Sequence, residues 1–246
     1  MGIPIIIPTA HRAGKVLTDI EGAILHVPED QLSAYRDYHP KAEIITHPPL
    51  KNLAGKRQAI YEQFGDHFQV DDDIKFVSRL SAPGNNRKTH LDPTEINHLI
   101  QTTYLAAKDA GAYLFGFNRA PNPKHYTAHR PITRVGYINA CAFGLRKSPH
   151  LHFTPHTTAA ESHWINLLNA YYHRHVWIDQ RFHFAQAPKS TFFRPGGQAA
   201  KRTMESEKRD TLFLRRMFGD AVRIKRGKPT DAKAVHPYQR TIRIPL

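Results

Sequence analysis

Three adjacent carboxylates, Asp71, Asp72 and Asp73, end an apolar run and precede Ile74-Lys75-Phe76. Unit charges about 4 Å apart repel by roughly 1 kcal/mol in water and about 4 kcal/mol near a protein surface, so a fold must set positive charge against them. Two arrangements do so. At a strand end, a hard divalent cation can sit between them, because Mg²⁺ and Mn²⁺ take one or two carboxylates together with substrate phosphates. At a helix start, the same side chains can cap free backbone N–H groups and face the positive end of the dipole.

The flanking pattern favours the strand end. Ile3-Pro4-Ile5-Ile6-Ile7 is a β-branched run that reads as a buried strand, and the loop Pro8 to Gly14 follows it. Ala23 to Val27, Glu43 to Thr46 and His67 to Val70 read as further strands. Between them lie segments of helical spacing: one holds Leu32 and Tyr35, the next Leu53, Ile60 and Phe64, with Gly65 placed to end it. Strands alternating with helices predict an α/β fold, a mostly parallel central sheet flanked by helices, whose ligands sit beyond the carboxyl ends of the strands. The triplet and the Pro8–Gly14 loop then share one edge.

Downstream, Ser81 to Lys88 is a polar loop. Asp92, Pro93 and Glu95 spell a capping box with proline at the first helical position, and Ile96, Leu99, Ile100, Thr103 and Ala107 line one helix face up to Gly111. Ala112 to Phe117 reads as a strand. Arg119 to Pro131 is an extended segment, either an ordinary surface loop or a lid that brings Lys124, Tyr126 and Arg130 to phosphates and bases. Thr158 to Glu161 spells another capping box before an amphipathic helix, and Val176 to His183 reads as one strand. A helix around Leu212, Leu214, Met217 and Phe218 stops at Gly219. Residues 221–226 and 240–244 alternate basic and apolar residues, as half-buried strands with an outward row of cations do.

Five segments together resemble the GT-A glycosyltransferases, and most closely the phage TET-associated glycosyltransferases that add sugar to 5-hydroxymethylcytosine in DNA. They are Ile7-Pro8-Thr9 with Arg12, Lys56-Arg57-Gln58-Ala59-Ile60, Val70-Asp71-Asp72-Asp73-Ile74, Gly136-Tyr137-Ile138-Asn139-Ala140 and Glu161-Ser162-His163-Trp164. The resemblance implies a UDP-sugar or similar nucleotide-sugar donor held with Mn²⁺ or Mg²⁺. It places Pro8, Thr9, Arg12, Lys56, Arg57, Asp71 and Asp72 at the donor, with Asp71 and Asp73 at the metal. It implies a late histidine completing the metal shell, for which His183 is the candidate and His163 the second choice. Glu161 becomes either the acid that faces the acceptor or a plain helix cap, since Ser162 stands where the family often carries a second acid. It also implies one GT-A-like domain, with 1–80 as the nucleotide-sugar half, 81–197 as the acceptor half and 198–246 as a basic extension. A phage protein working in the host cytoplasm follows.

Composition sets separate limits. The formal net charge is +14 over 246 residues, and residues 201–246 hold 13 Lys/Arg against 5 Asp/Glu, over half of the excess. A polyanionic partner such as double-stranded DNA is expected, with Arg223, Lys225 and Arg226 as backbone contacts alongside Lys124, Tyr126 and Arg130. A single cysteine, Cys141, leaves no internal disulfide and points away from an oxidising compartment. No apolar run approaches the roughly 20 residues of a membrane span, and Pro4 and Pro8 break the start as a signal peptide. An intracellular protein with no membrane partner is expected. The 17 histidines show no zinc-type spacing with cysteine. Three alternatives stay open: a GT-A enzyme with a protein or glycan acceptor, a metal-dependent nuclease, and a non-catalytic DNA-binding protein.

Overall fold

The computed structural model describes residues 2–81, 89–187, 203–224, 238 and 240–244. β1 (Ile5–Pro8), β2 (Ile24–Pro28), α1 (Leu32–Tyr38), β3 (Glu43–His47), α2 (Leu53–Phe64) and β4 (His67–Val70) follow one another in the expected alternation. β1 pairs in parallel with β2 and β4, and β2 with β3, so four carboxyl ends lie along one edge. Successive side chains of β1 point to opposite faces. Ile5 and Ile7 therefore join the larger core, whereas Ile6 packs with Ile24 and with Ile60 of α2. Both faces are covered, which is why this strand is apolar throughout. Asn52 caps α2 by accepting from the Gly55 N–H at 2.9 Å, and Gly65, at φ 66°, closes it.

The chain continues through β5 (Ile74–Arg79), α3 (Pro93–Asp109), β6 (Leu114–Phe117), β7 (Ile132–Thr133), β8 (Ala142–Leu145) and α4 (Glu161–Tyr172). β9 (Trp177–Asp179), β10 (Phe182–Gln186), α5 (Met204–Phe218), β11 (Val222–Ile224) and β12 (Arg240–Ile242) complete it. Among the described residues the main sheet runs β3-β2-β1-β4-β8-β6-β9-β7, with β8 and β7 antiparallel to their neighbours and the others parallel. This is the predicted α/β architecture with a mostly parallel central sheet flanked by helices. α3 covers one face through Ile96, Leu99, Ile100 and Tyr104; α4 and α5 cover the other through Trp164, Ile165, Leu168 and Leu214. No helix among the described residues is long and apolar enough to cross a membrane.

Four sequence expectations need correction. Val176 to His183 is not one strand: the chain turns at Gln180-Arg181, β9 stays in the main sheet, and β10 pairs antiparallel with β5. The Thr158 capping box does not form, because Ala160 is the N-cap of α4 and no side chain caps it. The cationic row on the last strands is broken, because Arg240 turns inward and is buried while Arg223 is exposed. β8 was not anticipated. Its Gly144 faces the Phe115 ring across the β6–β8 pair, too close for any Cβ, so the strand accepts a residue that single-sequence patterning reads as a breaker. The Ala82–Lys88 part of the polar loop, and Lys225 and Arg226, lie outside the described residues.

Candidate functional site

The carboxyl ends of β1, β2, β3 and β4 open into a cavity of about 500 Å³, whose wall carries Pro8, Pro28, His47 and Asp71 from those ends. Lys56 and Arg57 project into it from α2, Asn139 to Cys141 enter from the start of β8, and Ala159 and Glu161 to His163 from the start of α4. Thr9, Arg12, Asp72 and Asp73 also line it. The structure thus places the proposed donor residues, the whole triplet and Glu161 around one space, although they span more than 150 positions of sequence. Five carboxylates (Asp30, Asp71, Asp72, Asp73, Glu161) face three permanent cations (Arg12, Lys56, Arg57) there. In a protein of formal charge +14, that local excess of negative charge stands out.

The three triplet side chains diverge. Asp72 turns back toward the β1 loop, where Arg12 Nη1 donates to it at 2.7 Å and Thr9 Oγ1 at 2.6 Å. Tyr35 shares the Thr9 hydroxyl at 2.8 Å, and Lys56 Nζ donates to the Thr9 carbonyl at 2.9 Å, so this loop is held from three sides. His11, within it, takes the left-handed conformation at φ 56°, with its N–H bonded to Gln31 at 2.7 Å. Asp71 and Asp73 face each other instead: Gln186 Nε2 donates to Asp71 Oδ2 and to Asp73 Oδ1, each at 3.2 Å. Burial pushes the Asp71 carboxyl up to about 7; Arg57 opposes that, and Asp73, Asp72 and Glu161 add to it.

A metal ion fits this arrangement on chemical grounds. Two carboxylate oxygens converge on a single amide nitrogen, the place a cation would take, and Mg²⁺ or Mn²⁺ commonly uses two carboxylates with substrate phosphates completing the shell. Among the described residues, no three His, Cys, Asp or Glu side chains form a group able to hold an ion. His183 does not complete one. Its Nδ1–H donates to the Asn118 carbonyl at 2.8 Å, and the residue is not part of the cavity wall. The physical reason is the turn at Gln180-Arg181, which moves His183 from β9 onto β10.

Arg57, buried to 1% exposure, organises the floor. Nη2 donates to Asp71 and to the Ala140 carbonyl, each at 3.1 Å, and Nη1 to Gln69 Oε1 at 3.1 Å. Nε lies 3.9 Å from Glu161 Oε1, and the guanidinium stacks 5.0 Å above the Phe143 ring. Gln69 in turn donates to His67 Nε2 at 2.8 Å, while His67 Nδ1 donates to the Gly65 carbonyl at 2.6 Å. That chain fits a neutral His67, since Nε2 must accept. Burial lowers its pKa from 6.5 to about 4 and that of His26 from 6.5 to about 3. A depressed histidine leaves the unfolded chain binding more protons below 6.5, so stability is full above that value and drains as pH falls toward about 4. We expect thermal unfolding to move down on acidification from pH 6.5 to 4, with His67 alone contributing about 3 kcal/mol. Because the raised Asp71 gains stability over the same range, the check compares the parent with His67→Gln: an unchanged pH dependence in the variant would show that His67 is not buried neutral.

Glu161, 8% exposed, lines the cavity at the first position of α4. Trp164 is buried against Phe213, and its Nε1–H donates to the His152 carbonyl at 2.7 Å. Tyr137 packs on His163, with Arg119 over its ring. Lys124 and Arg130 are exposed and Tyr126 half-buried in their loop, and none lines the cavity; neither does Arg223. The sequence reading missed Gln186, for which a lone glutamine at a strand end offers no signal. It also missed the His67–Gln69 relay, whose polar residues alternate with Phe68 and Val70 in a fully buried strand.

No protein-family model matches the chain, and no curated protein matches it. Among solved structures, CMP:2-keto-3-deoxy-manno-octonic acid synthetase complexed with CTP aligns with 88% of this chain and 100% of its own, at 11% identity and a TM-score of 0.42. A likeness of that size carries no argument about activity.

Proposed function

We propose that the protein is a metal-dependent GT-A-type glycosyltransferase that moves a sugar from a nucleotide sugar, a UDP-sugar in the first instance, to the hydroxymethyl group of 5-hydroxymethylcytosine in DNA. The supporting observation is the gathering of the β1 loop, Lys56, Arg57, Asp71, Asp73 and Glu161 around one cavity at the strand ends. With carboxylates outnumbering cations even when Asp71 is protonated, that cavity suits a diphosphate that arrives with a divalent cation. Asp71 and Asp73 would hold the ion, which when bound neutralises charge on the departing nucleoside diphosphate. Thr9 and Arg12 would meet the nucleotide end. Glu161, 3.9 Å from Arg57, would accept the proton of an incoming hydroxyl. In this reading residues 1–80 serve the donor, 81–197 the acceptor, and 198–246 the DNA backbone, in the cytoplasm of a phage-infected host.

The acceptor assignment rests on the family resemblance and on the +14 charge, with Lys124, Arg130 and Arg223 exposed. The deciding experiment incubates the protein with Mn²⁺, a panel of nucleotide sugars, and matched duplexes containing cytosine or 5-hydroxymethylcytosine. Mass gain on the hydroxymethylated duplex alone is the expected outcome. Transfer to a protein or oligosaccharide with none to DNA would reassign the acceptor, and metal-dependent DNA cleavage without sugar would make the protein a nuclease. Neutralising Arg223, Lys225 and Arg226 together should reduce the slope of log affinity against log salt by about 2.7, at 0.9 per phosphate contact. An unchanged slope takes these three residues out of the DNA interface.

A further inference from the structure

The loop entering α4 is not capped by its own side chains, yet it carries Glu161 into the cavity. Its backbone is held from 50 residues away. Asp210 of α5, fully buried, accepts from the Thr158 N–H at 3.1 and 2.9 Å and from the Ala159 N–H at 2.7 Å. Arg240 of β12, also buried, donates from Nη2 to the Ala159 carbonyl at 2.9 Å. Its Nη1 is fixed by Glu207 at 2.9 Å and by Thr211 at 3.0 Å. Arg209 donates to the Thr158 hydroxyl at 2.6 Å. Ala159 is thus gripped on both its N–H and its carbonyl, two residues before Glu161, by charge-assisted bonds that are about twice as strong as neutral ones.

We infer that Asp210 and Arg240 are positioning residues that set Glu161 in the cavity, so that the C-terminal segment completes the reaction site in addition to any role in binding DNA. The inference rests on the glycosyltransferase reading above, in which Glu161 meets the acceptor. A buried ion cluster removed from the chemistry is hard to explain by stability, since such clusters contribute little net stabilisation over apolar packing. A misplacement of about 1 Å, by contrast, can lower a rate about 100-fold.

The test uses the full-length protein and two variants, Asp210→Asn and Arg240→Gln, each with two readouts. Hydrogen–deuterium exchange of the 158–162 segment reports the grip itself. Steady-state transfer to hydroxymethylated DNA reports kcat and the donor KM. In the parent, the Thr158 and Ala159 amides should be as protected as those of α4; unprotected amides there overturn the inference before any variant is made. In either variant that folds, exchange of 158–162 should quicken by at least about tenfold. kcat should fall about 100-fold with donor KM unchanged, because the proposed donor residues lie at the end of β1 and its following loop, on α2 and in the triplet. Faster exchange with parent kcat, or a kcat loss matched by loss of nucleotide-binding sites, would leave a merely structural clamp and overturn the inference. If the parent transfers no sugar to any acceptor, the glycosyltransferase reading falls, and exchange at 158–162 still decides whether the clamp exists.

Discussion

Asp73→Ala is expected to lower sugar transfer by at least about 100-fold while leaving the thermal midpoint near that of the parent. The side chain of Asp73 accepts from the amide of Gln186 at 3.2 Å, and its backbone carbonyl, which binds the Ala187 N–H, survives the substitution. Little of the fold is lost with it, and one like charge beside Asp71 is removed. Asp72→Ala should instead act on the fold and on the donor KM, since Asp72 anchors Thr9 and Arg12 of the β1 loop. Its carboxylate is buried between Arg12 and Thr9, and breaking such a pair typically costs about 3–5 kcal/mol, a midpoint drop of about 10 °C for a chain of this size. Mn²⁺ titration separates the two further, since Asp73→Ala should shift the metal requirement and Asp72→Ala should not. Parent-rate transfer by Asp73→Ala, or indifference to EDTA, would remove the metal from the reaction.

The rim at the strand ends was legible in the sequence because short-range rules govern it. β-branched runs, helical spacing and Gly65 place β1 to β4 in order, and parallel order alone carries Thr9, Arg12, Asp71 and Asp73 to one rim. What was not legible depends on contacts distant in sequence. Asp72 looks equivalent to its neighbours until Arg12, 60 positions earlier, claims it. Thr158 to Glu161 spells a capping box, yet Asp210 supplies the backbone acceptor from another helix, which overrides the local motif. The single strand read over Val176 to His183 is broken by a turn that no proline or glycine announces, because Gln180-Arg181 is closed by Asp179 accepting from the Arg181 N–H and guanidinium. β8 was missed for a similar reason, since its glycine is chosen by the ring of Phe115 on the neighbouring strand.

Arg57→Met should destabilise the fold by about 3–5 kcal/mol and should also abolish transfer. The guanidinium is buried, and its loss removes the donor to Gln69 Oε1, to the Ala140 carbonyl and to Asp71 Oδ1, leaving Asp71 only Gln186. Asp71 makes the effect depend on pH. Its pKa is raised from 3.8 to about 7, chiefly by burial, so the folded protein binds more protons than the unfolded chain between those values. The cost of burying the ionised form is therefore felt in full above about pH 7 and is relieved as pH falls. Urea melts of Arg57→Met should show a larger deficit at pH 8 than at pH 5.5. Adding Asp71→Asn should recover about 1–3 kcal/mol of it at pH 8, because the orphaned charge is gone, and none of the lost activity. Arg57→Lys retains the charge without the planar fork that reaches Gln69, Asp71 and Ala140 together, so it should melt between parent and Arg57→Met while remaining as inactive as the latter. Strictly additive effects in the double variant would mean that Arg57 and Asp71 do not share one electrostatic site, and the link from the triplet through Arg57 toward Glu161 would have to be abandoned.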